Sequence, residues 1–138
     1  MRVDKYCMSV AALAALCGMG LGISMAVRQD FSLAPAHAHL NLLGWVSMAL
    51  YGLYYRSARV VRPWLAWTQA AAGTTGFVAM SGGIGVMLAT GSHAAEPVIS
   101  LGALASVLGM ALFLAQVLTE DRTRARAPRA LTADVWSG

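Results

Sequence analysis

Two histidines separated by one residue, His37 and His39, open an uncharged run that reads Pro35-Ala-His37-Ala-His39-Leu-Asn41-Leu-Leu-Gly44-Trp45. An ionisable side chain inside a lipid-spanning helix is costly and marks a functional site by default. On a helix, positions i and i+2 lie about 200° apart, so the two imidazoles leave the rod in nearly opposite directions. One ion cannot be gripped by both from a single face. The pair must serve two sites, or one site twice through symmetry. Asn41 falls one turn beyond His37 on the same face and Gly44 a further turn along. A polar group followed by a notch suits a flat ligand lying against the helix, and Trp45 completes the candidate cofactor-binding set.

Three chemistries are open to such histidines. A proton relay needs carboxylate partners, and none falls within the uncharged runs of the chain. A zinc centre needs three or four ligands converging on one tetrahedral point, which opposed histidines without clustered Cys or Asp do not provide. Haem iron needs only one or two axial imidazoles, and its macrocycle is buried by apolar and aromatic side chains. Haem ligated by His37 and His39 is therefore the leading expectation. Copper held by the two histidines with Met25, Met80 or Met87 is an alternative, as is a cofactor-free accessory or assembly subunit in which the histidines only pack.

The elements that position these residues follow from the charge distribution. Of 138 residues, 58% are hydrophobic and 12% charged, where a soluble domain carries about a quarter charged. The charges cluster between four uncharged stretches, Cys7 to Val27, Ala36 to Tyr55, Pro63 to Ser92 and Pro97 to Leu118. Each reaches the ~20 residues that cross a hydrocarbon core. The expected fold is all-α, a four-transmembrane-helix bundle over residues 1–118, with helices at about 7–27, 36–55, 64–90 and 97–118. Residues 119–138 then form a basic, poorly ordered cytoplasmic tail. The first run is longer than a signal-peptide core. The small-x-small site Ala36-His37-Ala38 would be cut inside the second helix, so the segment reads as uncleaved.

Basic residues sort by connection: Arg2 and Lys5 at the N-terminus, Arg56, Arg59 and Arg62 in the second link, and Arg122, Arg124, Arg126 and Arg129 in the tail. The first link has Arg28 offset by Asp30, and the third has no Lys or Arg. The positive-inside rule then puts both termini in the cytoplasm of a bacterial inner membrane, with the histidines toward the outer face. The net charge of +4 reflects topology and contact with acidic lipid headgroups, not nucleic-acid binding. The Gly-dense stretch Gly76 to Gly85 reads either as room for a prosthetic group or as tight helix packing. The Gly18-x-x-x-Gly22 match is a weak packing signal. His93 reads as solvated or as a propionate partner, and Cys7 and Cys17 as small buried residues.

Ala36-His37-Ala38-His39-Leu40, with Gly44 and the small and aromatic run to Tyr55, resembles the haem-ligating helix of haem–copper oxidase subunit I. In that family one helix holds two haems, one on each side, and twelve helices form three arcs of four. The resemblance implies that this chain corresponds to one arc and assembles as a twelve-helix homotrimer. His39 of one protomer and His37 of the next would then bind haem b between them. The family's copper-site histidines and His–Tyr cross-link have no counterpart here, so proton-pumping oxygen reduction is not implied. Electron transfer or oxygen and nitric oxide binding is, with the electron donor and acceptor left open.

Overall fold

In the computed structural model, residues 1–58 and 62–126 are described, with side chains to residue 119. Helix α1 spans Val3–Arg28 and ends where Gln29 turns left-handed (φ 52°), its side-chain amide donating to the Ala26 carbonyl at 2.7 Å. Helix α2 is one rod in three segments: an α-helical start Ala34–His39, a π-helical middle Leu40–Ser47 and an α-helical end Met48–Ser57. Helix α3 spans Pro63–Thr90, opens on a proline whose missing N–H costs nothing there, and closes at Gly91 (φ 66°), whose N–H reaches the Met87 carbonyl at 2.9 Å. A short 3₁₀ turn, His93–Ala95, leads into α4, Glu96–Arg126.

The molecule is all-helical among the described residues. Val3–Arg28, Pro63–Thr90 and His93–Thr119 are each long and apolar enough to cross a membrane. Two boundaries differ by more than two residues from the sequence expectation. Helix α1 begins four residues earlier than residue 7 and so takes in Asp4, an acid in its first turn, where the helix dipole favours it. Helix α4 runs past Leu118 to Arg126, so the first part of the expected tail is helical. Residues 127–138 and Arg59 lie outside the described residues.

The helices form two antiparallel hairpins, α1 with α2 and α3 with α4. Along α1 and α2, bulk on one helix faces a small residue on the other: His37 over Gly22, Asn41 over Gly18, Gly44 against Ala14, and Gly52 against Met8. Along α3 and α4 the backbones themselves meet. A Cβ on Gly102 would fall 2.5 Å from the Met80 nitrogen, and one on Gly109 would fall 3.0 Å from the Gly73 nitrogen. Gly76 faces Ser106 and Gly83 faces Ile99. Close approach through small residues is how helices associate where lipid removes any hydrophobic drive between them. Most of the α3 glycine density is thus used in packing, whereas Gly82 stands in open space.

The core lies away from the histidine end. Cys7, Ala11, Ala14, Met48, Tyr51 and Tyr55 form its α1–α2 half, closed by Ala66, Ala70 and Phe77 of α3. Phe113 of α4 packs against Tyr51 and Tyr54 at ring-centroid distances of 4.7 and 5.0 Å. The hairpins also meet at the other end, where α3 runs close to the histidine-bearing start of α2 and its π-helical middle.

Candidate functional site

His39 sits in the last turn of the α-helical start of α2, half-exposed. Its Nδ1 lies 2.8 Å from the Pro35 carbonyl. A carbonyl can only accept, so Nδ1 carries a proton, and in the neutral ring Nε2 then keeps its lone pair. A backbone carbonyl fixing one nitrogen so that the other can ligate is the usual way a metal-binding imidazole is oriented.

His37 is placed differently. Its ring lies over Gly22 of α1, where a Cβ would come within 3.1 Å of Cε1. Asn41 donates through Nδ2 to the His37 carbonyl at 2.9 Å, and the same nitrogen lies 3.3 and 3.4 Å from the two ring nitrogens. Asn41 in turn fills the space above Gly18, where a Cβ would fall 2.5 Å from its Oδ1. The Gly18-x-x-x-Gly22 pair is therefore the seat of His37 and Asn41. Its four-residue spacing matches theirs in antiparallel register.

The π-helical middle begins immediately after His39. A switch from i→i+4 to i→i+5 bonding leaves carbonyls at its edges under-used, and such segments recur at functional sites. Asn41 serves the His37 carbonyl, and Ser47 donates to the Leu42 carbonyl at 2.9 Å. Gly44 is buried, with the Phe77 ring 2.9 Å and the Ala14 Cβ 3.0 Å from where its own Cβ would be. The notch expected for a ligand is thus filled by Phe77 from within the fold. Trp45 is 48% exposed and turns outward.

A groove of about 350 Å³ runs beside the histidine-bearing turn, lined among others by Ala36, Leu40, Phe77, Ser81, Gly82 and Gly85. Its volume falls in the range of small-molecule sites. The Ser81 hydroxyl is satisfied by the Phe77 carbonyl. Among the described residues no three His, Cys, Asp or Glu side chains cluster as a metal site. Neither histidine is among the residues lining this groove, so the fit to a haem, which needs few protein ligands, rests on the oriented imidazole of His39.

His93 is exposed, but it is not the lone histidine its loop suggested: its Nδ1 lies 2.6 Å from Glu96 Oε1. Cys7 is buried as expected, while Cys17 is exposed. In the link before α2, the Ser32 N–H donates to Asp30 Oδ1 at 3.0 Å and holds that carboxyl below its usual value.

A second polar cluster, not anticipated from sequence, lies in the core. Tyr55 donates to Gln69 Oε1 at 3.0 Å and accepts from Gln116 Nε2 at 2.6 Å, all three side chains being buried. Asp4 is also buried, paired with Arg2 at 3.1 Å. The available signal was Gln69 and Gln116 themselves, amides inside otherwise apolar spans. No family model, curated protein or solved structure matches this chain.

Proposed function

We propose that the chain is a haem b-binding protein of the bacterial inner membrane, with all four helices spanning the bilayer and both termini cytoplasmic. His39 ligates iron through Nε2, and His37 supplies the ligand on the opposite flank of α2. Three copies close as a ring of twelve helices, so that His39 of one protomer and His37 of the next face a shared groove. The observation that carries this reading is the Nδ1–H bond of His39 to Pro35, which leaves Nε2 as a free donor on the half-exposed flank. The resemblance of residues 36–55 to the haem-ligating helix of haem–copper oxidase subunit I supports it. Asn41, anchored to the His37 carbonyl, sets the position of that turn against α1, and Trp45 lies on the outward flank where a neighbouring copy would pack. Bound haem b would supply a one-electron iron couple, used for electron transfer when both axial positions are imidazole and open to oxygen or nitric oxide when one is.

The test is a visible spectrum of the detergent-purified protein. A bis-histidine haem gives a sharp Soret band with resolved α and β bands on reduction; a single-histidine haem gives bands that shift with carbon monoxide. His39→Ala and His37→Ala each lower haem content, and His93→Ala leaves it unchanged. Equal haem in all three variants overturns the ligand assignment. Copper without a Soret band overturns the cofactor. Native mass spectrometry showing only monomer or dimer removes the shared groove.

A further inference from the structure

Midway along the bundle, away from the histidines, α2, α3 and α4 leave a half-open groove of about 250 Å³ lined by Leu43, Ser47, Tyr51, Gly73, Ser106 and Met110, with Val107. Its wall is apolar apart from a few hydroxyls. Two buried polar atoms at or beside this wall lack any hydrogen-bond partner: Ser106 Oγ and Gln69 Nε2. Gln69 is fully buried, and its Nε2 lies next to Tyr51, 4.0 Å from where a Gly73 Cβ would stand. Because residue 73 carries no side chain, little separates that amide from the groove. The Tyr51 hydroxyl, also on the wall, meets the Met110 sulfur at 3.7 Å, a weak acceptor, and has the Gln69 amide beside it.

Buried polar groups without partners are costly, and each one calls for an account. Here a hydroxyl, a phenol and an amide N–H gather at an otherwise apolar crevice on a membrane-type bundle. An acyl chain would fill the volume but satisfy none of them. A lipid headgroup carries the right atoms but is held at the membrane surface, and this groove is flanked by Ser47 and Ser106 near the middle of their helices. The complementary occupant is flat, apolar and carries carbonyl oxygens that accept hydrogen bonds.

We infer that this groove binds the ring of a lipid-soluble quinone, with Tyr51 and Ser106 donating to a ring carbonyl and Gln69 supporting them past Gly73. The binding rests on the membrane-spanning part of the functional reading and is independent of the haem. If both hold, a quinone is the electron partner the haem reading leaves open.

The probe is decyl-1,4-benzoquinone, titrated into the full chain in lipid nanodiscs and followed by NMR shift changes. Decylbenzene, which has the same tail and no carbonyls, is titrated in parallel. The quinone binds and decylbenzene binds at least tenfold more weakly. Ser106→Ala and Tyr51→Phe each weaken quinone binding about tenfold, the worth of one hydrogen bond of about 1.4 kcal/mol. Both keep the packing volume, and their helicity is checked by circular dichroism. Gly73→Ala, whose Cβ would stand in contact with the Met48 sulfur at 3.4 Å, narrows the groove and also weakens binding. Equal affinity for quinone and decylbenzene, or unchanged affinity in both hydroxyl variants, overturns the inference. Haem content of the same samples is read separately, so a failed quinone titration and a failed haem assignment are told apart.

Discussion

Asn41 donates its side-chain amide to the carbonyl of His37 at 2.9 Å while resting on Gly18 of the neighbouring helix. One residue thus fixes the backbone that carries the histidine pair, packs the first hairpin and lies within the π-helical segment. Asn41→Ala removes one of two donors to the His37 carbonyl, the Leu40 N–H remaining, and opens a void over Gly18. We expect a loss of about 1 kcal/mol, read as an earlier midpoint on unfolding in mixed detergent micelles.

Glycines that look alike in sequence should behave differently. Gly102→Ala pushes a methyl onto the Met80 backbone at 2.5 Å, and Gly18→Ala pushes one onto Asn41. Backbone cannot yield as a side chain can, so Gly102→Ala is the more damaging, by about 2 kcal/mol. Gly20→Ala and Gly82→Ala meet nothing within 4 Å and stay within about 0.5 kcal/mol of the parent. The four variants, ranked by the same unfolding titration, should fall in that order.

Tyr55→Phe keeps the ring and removes one oxygen, yet it unpairs two buried amides, Gln69 Oε1 and Gln116 Nε2. A cost of about 2 kcal/mol follows from stranding those groups. Gln116→Leu in the Tyr55→Phe background should cost less than the two single changes added, because the second removes an already stranded group. A double-mutant cycle on unfolding midpoints checks it.

Asp30 gives a pH test outside the helices. Its carboxyl is held below the usual 3.8 by the Ser32 backbone N–H first and its side-chain hydroxyl next. The contribution of this turn is complete above the usual carboxylate pKa and is lost as pH falls through the lowered folded value. The Asp30 side-chain NMR signal should therefore titrate below 3.8, and Ser32→Pro, which removes the donor, should move it upward.

The four uncharged runs located the four helices because length and apolarity are what a bilayer demands of a rod. Their ends were less legible. Asp4 belongs to α1 because an acid suits a first turn, and α4 continues to Arg126 because Ala, Arg and Glu are good helix formers whatever their polarity. A charged run ends the hydropathy signal without ending the helix. His37 and Asn41 were legible as one face. The filling of the Gly44 notch by Phe77 was not, since it depends on which helix packs there. The His93–Glu96 pair is legible in the sequence as i and i+3 spacing. Nothing in the composition of Leu40–Ser47 separates it from ordinary α-helix, because its wider turn is a property of the packed bundle.

That wider turn works as a phase joint. The eight residues from Leu40 to Ser47 decouple the rotation of the imidazole-bearing end of α2 from that of its tyrosine-bearing end. Relaxing them to α geometry at full length would swing everything downstream by roughly 100°, whereas losing one residue at the same time would largely cancel that swing. At full length and α geometry Tyr51 and Tyr55 would face away from Phe113 and Gln69, so the wider turn is what holds the tyrosine-bearing end in phase with the imidazole-bearing one.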